Sequence, residues 1–262
     1  MPFDIFGVQP FAGTPFWVVG LTALAHFAGF VIRGAFGFGS NLPIIILTAL
    51  LLGPHHAIVL VVLTATFSQI HLFPQGVRGA DWRLVGALVT GVYVGIAIGT
   101  WVFVSLSADA LAPVLGALVV GIVLMDRFDV IRRIGSVIDL KAWTTVAPLS
   151  VVSGFVGTAS GGGGIYFLAP FLKHVLPEPV RFRCTNLVLS GVFMFGRAGF
   201  FLIAGMLDWR TTVEALLLMP AVFLGGVVGS RWAKAVAPEA FFRGLSMMLL
   251  IGAALLAGKS IA

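Results

Sequence analysis

Apolar residues run in long unbroken stretches along this chain, and polar residues gather in the gaps between them. Ten stretches can be marked, at approximately 16–32, 36–53, 57–73, 84–106, 111–125, 144–159, 164–176, 184–205, 212–230 and 240–258. A helix that crosses a bilayer needs about 20 mainly apolar residues. A membrane barrel would instead alternate apolar and polar positions along each strand. The pattern therefore predicts an all-α polytopic membrane protein with about ten transmembrane segments. Segments five and seven are short, and are expected either to tilt little or to stop inside the protein.

Composition strengthens this reading. Of 262 residues, 59% are hydrophobic and only 10% are charged, against about 25% charged in an ordinary soluble domain. Mean hydropathy is +1.09. Cys184 is the single cysteine, which excludes an internal disulfide and a cysteine-based metal cluster. No cofactor is implied. No Lys or Arg precedes Arg33, so the first segment lacks the basic flank of a signal peptide.

The net charge of +6 does not point to nucleic acid, because the basic residues sort by side. With the N-terminus outside and ten crossings, the inner loops hold Arg33, Arg78, Arg83, Arg127, Arg132, Arg133, Lys141, Lys173, Arg181, Arg183, Arg231, Lys234 and Arg243. The outer side holds only Arg210 and Lys259, and Arg197 lies within segment eight. This is the asymmetry of the positive-inside rule. Making segments two and seven re-entrant would destroy most of it. The expectation is a multi-pass protein of the cytoplasmic (inner) membrane with both termini outside.

The chain also repeats. Gly29-Phe30-Val31 matches Gly154-Phe155-Val156, Pro43 matches Pro170, and Asp81-Trp82-Arg83 matches Asp208-Trp209-Arg210. Gly95 to Thr100 resembles Gly225 to Ser230. Five crossings per copy is an odd number, so the second copy must enter the membrane upside down. This predicts a first repeat at residues 1–125, a cytoplasmic connecting loop at 126–143 and a second, inverted repeat at 144–262.

Each repeat carries a glycine-rich break. One is Gly37-Phe38-Gly39-Ser40 followed by Asn41 and Pro43; the other is Ser160-Gly161-Gly162-Gly163-Gly164 with Pro170 downstream. Breaks at matching places in two halves point to a transport site. A helix that begins inside the membrane offers free N–H donors and the positive end of its dipole to an anion. Close helix packing is the structural alternative. It suits the scattered pairs Gly95/Gly99 and Gly225/Gly229 better than four consecutive glycines.

Arg33-Gly34-Ala35-Phe36-Gly37-Phe38-Gly39 with Pro43, and Gly154-Phe155-Val156-Gly157 through Gly161 to Gly164 with Pro170, resemble the paired signatures of the TauE/SafE membrane transporter family. Gly205 with Asp208-Trp209 is similar as well. The resemblance covers almost the whole chain. It implies transport of a small sulfur-containing or organic anion, such as sulfite, sulfoacetate or another sulfonate, driven by protons. The chain departs from the family pattern at Gly37-Phe38-Gly39-Ser40, which is not a glycine triplet, and at Val59-Leu60-Val61, where a Thr-Ser pair is common.

Other residues bear on the same chemistry. Arg197 is a basic residue near the centre of segment eight, and a charge at mid-bilayer costs at least about 2.5–3.5 kcal/mol. An anionic substrate matched to its planar fork is one account; a carbonyl or acidic partner is the other. Arg33, at a helix end, is expected to snorkel to the inner surface and is a secondary candidate. Thr185 and Asn186 lie about three turns from Arg197, so an unbroken helix keeps them from sharing one small anion with it. Asn186 and Gln69 serve equally well as glue between helices. Glu214 is the carboxylate inside a predicted crossing and is expected at the interface. His55 and His56 fall in an outer loop.

The sequence thus predicts a secondary transporter for a small anion, embedded in lipid and working by alternating access. Proton coupling and a homodimer are further expectations, although no feature fixes an interface. An anion channel would need a ring of polar groups, and a membrane enzyme would need a nucleophile with its base or paired carboxylates. Neither pattern is evident. Gly162→Leu should abolish anion uptake while the protein still inserts. Normal transport by that variant would remove the glycine break from the site.

Overall fold

A computed structural model describes residues 4–36, 40–128, 130, 133, 143–159, 168, 171–172, 175–176 and 178–232 of the chain. Eight helices are seen among them: α1 (Phe16–Phe36), α2 (Asn41–Leu52), α3 (Pro54–Val77), α4 (Trp82–Ser105), α5 (Ala108–Arg127), α6 (Trp143–Ala159), α7 (Pro179–Ile203) and α8 (Trp209–Trp232). No strand occurs among the described residues, apart from an isolated bridge between Ile5 and Val8. The predicted segment at 240–258 and most of the segment at 164–176 lie outside the described residues, as does most of the connecting loop.

Five helices are long and apolar enough to cross a membrane: α1, α3, α4, α7 and α8. The segment predicted from residue 36 differs from expectation. The first helix runs on through Phe36, and α2 begins only at Asn41. Its 12 residues span about 18 Å, well short of the ~30 Å hydrocarbon core. Gly53, with φ of 86°, then lets α2 turn directly into α3, a backbone conformation that glycine adopts without steric cost.

Contacts fix the direction of each helix. At one end of the bundle the N-terminal segment lies against the start of α8, where Trp209 Nε1 donates to the Phe6 carbonyl at 3.1 Å. The start of α3 and the ends of α4 and α7 meet at this end too, with the His55 and Phe103 rings 4.8 Å apart and Phe103 and Phe201 stacked at 5.1 Å. At the opposite end Asp81 joins the start of α4 to the start of α7. Its backbone N–H donates to Thr185 Oγ1 at 2.9 Å, and its carboxylate accepts from Leu84 N at 3.1 Å and from Arg181 at 2.9 Å.

Two parallel helix pairs form the flanks. In one, α8 lies on α1, with Gly225 against the Phe27 carbonyl and Gly229 against the Val31 carbonyl. In the other, α4 lies on α6, with Gly95 against the Val151 carbonyl and Gly99 against that of Phe155. A side chain at Gly99 would put its Cβ 2.9 Å from the Phe155 oxygen, closer than carbon comfortably approaches. These are the small-residue crossings by which membrane helices associate without a hydrophobic drive between them. Between the flanks, α3 and α7 run antiparallel, with Gly76 beside Cys184 and Thr66 beside Met194.

It follows that α1 and α6 run in opposite directions, as do α3 and α7, and α4 and α8. Asp81 and Asp208 play the same local role, each accepting the N–H three residues on, Leu84 and Thr211 respectively. Arg33, Arg78, Arg83, Arg181 and Arg231 belong to helix ends or turns at the Asp81 end, whereas Arg210 stands at the N-terminal end. The outer helices expose large apolar side chains, among them Leu24, Ile98, Trp101, Phe223 and Leu224. By contrast α3 is the most enclosed candidate span, 61% buried against 39% for α1 and α4.

The crossings should dominate stability. Gly95→Ala forces α4 off the α6 backbone and should cost about 1–3 kcal/mol. Gly86→Ala, in the same helix with nothing within 4 Å of the added atom, should stabilise by roughly 0.5–1 kcal/mol. Thermal unfolding of both variants in detergent checks the contrast.

Candidate functional site

Polar side chains converge on one stretch of α7. Asn41, at the start of α2, donates its amide Nδ2 to the Met194 sulfur at 3.7 Å and accepts from Ser40 Oγ at 2.9 Å. Thr66 of α3 donates to the Met194 carbonyl at 3.2 Å and to its own Val62 carbonyl at 2.6 Å. Ser40 and Asn41 are buried, although they follow directly on the first glycine break. Gly29 makes this possible: a Cβ there would sit 3.1 Å from the Ser40 carbonyl and would overlap Ile44. The described part of the second glycine-led segment, Leu168, Phe171 and Leu172, packs in one apolar cluster with Val188, Leu189, Phe193 and Met194. Elements following both breaks therefore reach the same helix.

Arg197 lies one turn beyond Met194 and is fully buried. Its guanidinium carbon stands 5.8 Å from the centroid of the Phe201 ring, within cation–π range. Phe201 in turn stacks on Phe103, which neighbours His55. Because α7 spans Pro179–Ile203, Arg197 falls past the helix midpoint, toward the end of the bundle where the N-terminal segment lies. Arg33 departs from expectation. It does not reach outward to the surface but is 6% exposed, with its guanidinium 5.7 Å from the Phe30 ring. Packing between helices has enclosed a side chain that its sequence position alone placed at a boundary.

The unbroken α7 keeps its candidates apart. Asn186 and Arg197 are separated by about 16 Å of helix rise. Thr185 accepts the Asp81 N–H, so it ties α7 to the start of α4. Asn186 is buried, and its Oδ1 has no hydrogen-bond partner among the described residues. Gly37, Phe38, Gly39, Ser160, Gly161, Gly162, Gly163 and Gly164 lie outside the described residues. His26, in α1, is buried with Nδ1 2.8 Å from the Thr22 carbonyl, as hydrogen-bonded structure.

Glu214 is completely buried within the protein. Its Oε1 accepts from Phe11 N at 2.7 Å and from Arg210 Nε at 3.1 Å, and its Oε2 lies 2.8 Å from His56 Nε2. His55 and His56 belong to the first turn of α3, because Pro54 starts that helix directly after Gly53. One carboxylate thus pins the N-terminal segment, α3 and α8 together, and Arg210 adds a bond to the Ala12 carbonyl at 3.3 Å. Sequence spacing could not reveal this, since Phe11 and Glu214 are 203 positions apart.

Removing that carboxylate leaves the buried Phe11 N–H unsatisfied, at a cost of about 1–3 kcal/mol. Glu214→Ala should therefore loosen residues 5–15 locally, raising their hydrogen exchange about tenfold or more. Glu214→Gln keeps an acceptor oxygen and should lose less. Hydrogen exchange by mass spectrometry distinguishes the two.

Residues 21–256 match the family model described as sulfite exporter TauE/SafE. The chain is 25% identical over 242 residues to a protein of Cupriavidus necator named "Probable sulfite/organosulfonate exporter TauE", covering 91% of this chain and 93% of that one. It is 29% identical over 181 residues to the "Probable inner membrane transporter protein TsaS" of Comamonas testosteroni, covering 66% of this chain and 71% of that one. No solved structure matches the chain. A family match across most of the sequence, on a chain whose described residues include five helices long and apolar enough to cross a membrane, places this protein in the sulfite exporter TauE/SafE family of membrane transporters, and it is not an enzyme.

Proposed function

We propose that this protein is a secondary transporter that moves sulfite or an organosulfonate such as sulfoacetate across the cytoplasmic membrane by alternating access. The observation that carries the reading is the meeting of Asn41, at the end of the first glycine break, with the α7 turn that bears buried Arg197. A trioxo sulfur anion presents several acceptor oxygens, which suit a planar guanidinium fork and neutral amide donors together. The backbone N–H groups of the two glycine breaks, 37–40 and 160–164, would complete such a site.

The opposed directions of α1 and α6, α3 and α7, and α4 and α8 support two inverted repeats of five crossings, at 1–125 and 144–262. In such a protein one bundle of helices rocks against another around a central site. The crowding of basic residues toward the Asp81 end supports a cytoplasmic location for that end and an outside location for both termini. Proton coupling is part of the proposal. The described pair on which a proton would act is Glu214 with His56, which joins three elements at the outer end. The printed names of the two relatives support the substrate class and the membrane.

Reconstituted vesicles test this directly. Sulfite or sulfoacetate flux should saturate, accelerate with the same anion on the far side, and fall when a protonophore collapses the pH gradient. Arg197→Ala should weaken anion affinity about tenfold or more, as loss of a charged hydrogen bond does, with insertion intact. Linear flux without counter-substrate stimulation would indicate a channel instead.

A further inference from the structure

Thr66, Phe73 and Gly76 define the face that α3 turns to α7. Thr66 bonds to the Met194 carbonyl, the Phe73 ring lies over Gly191 and meets Phe195 edge-on at 5.9 Å, and Gly76 abuts Cys184. Helical spacing puts Gln69 on the same face, one turn from both Thr66 and Phe73. Gln69 is fully buried, yet neither its Nε2 nor its Oε1 hydrogen-bonds to any described residue. Glue between helices would show a bond across the interface, and among the described residues there is none. A buried carboxamide without such a bond is unfavourable in an apolar bundle. Among the described residues, Asn41 donates only to the Met194 thioether sulfur, which is a weak acceptor. Helical spacing thus sets a second amide donor beside the turn of α7 that runs from Gly191 to Met194, one turn from Arg197.

We propose that Gln69 is a substrate-contacting residue, its amide N–H groups donating to oxygens of the transported sulfite or sulfonate. This rests on the anion-transport reading above and adds a residue to it. An amide donor is neutral, so it binds an oxyanion without holding it as a second fixed cation would, which suits a carrier that must release its cargo.

The test compares wild-type protein with Gln69→Met and Gln69→Asn in detergent, by thermal unfolding and by calorimetric titration with sulfite and with sulfoacetate. Methionine keeps the volume and removes the unsatisfied amide. Gln69→Met should unfold at a temperature equal to or above that of the wild type without ligand, while its anion affinity drops about tenfold or more. A purely structural glutamine gives the opposite result, a lower melting temperature with unchanged affinity, and that overturns the proposal. If Gln69→Met does not fold, Gln69→Asn decides: the shortened amide should weaken binding several-fold, and wild-type affinity in that variant sinks the idea. Wild-type protein that binds neither anion overturns the substrate reading itself, and the role of Gln69 with it.

Discussion

Backbone-to-backbone contact at two glycine crossings is the constraint on which the rest of this protein depends. In lipid there is no apolar drive to bring helices together, so van der Waals contact must do it. Gly95 and Gly99 bring α4 onto the carbonyls of α6, and Gly225 and Gly229 bring α8 onto those of α1. Each contact joins an early helix to a late one. The chain is thus held as an interleaved unit, and its two halves cannot separate without breaking both crossings.

That interleaving encloses α3 and α7 and gives them an environment unlike that of the flanks. The faces they turn to each other meet protein, so Gln69, Asn186 and Arg197 can stay inside. Short α2 enters the same space because Gly29 has no side chain to obstruct it and Gly53 reverses the chain behind it. Polar groups at membrane depth are costly unless they are satisfied. Several of them lie on α3 and on α7, the helix that elements following both glycine breaks approach. The meeting of Asn41 with the α7 turn that bears Arg197 is what supports the anion-transport reading.

The two ends of the bundle are held differently. Glu214 gathers the Phe11 N–H, Arg210 and His56 around one buried carboxylate, and the opposite end uses Asp81 with Thr185 and Arg181. Arg181 is about half exposed, so its pairing with Asp81 is weak by comparison. The enclosed Glu214 cluster is the firmer of the two. Meanwhile α7 ends with Gly205 in a left-handed turn, where Met206 N reaches back to the Phe201 carbonyl at 2.9 Å, and Asp208 then accepts the Thr211 N–H at the start of α8.

Long apolar runs, sparse charge and the sidedness of Lys and Arg determined on their own that this chain is a helical membrane protein. The doubled glycine motifs determined its family. These are one-dimensional signals, because hydrophobic length and turn chemistry are written locally in the chain. The packing role of Gly95/Gly99 and Gly225/Gly229 was legible for the same reason, as a spacing of four along a helix. The start of α2 at Asn41 was less so, because an apolar run does not mark where a glycine break ends. Tertiary structure alone decided that Arg33 is enclosed, that Glu214 meets Phe11 and His56, and that Asn41 and Thr66 meet Met194. Those contacts join residues far apart in sequence, and their geometry follows from how the helices cross.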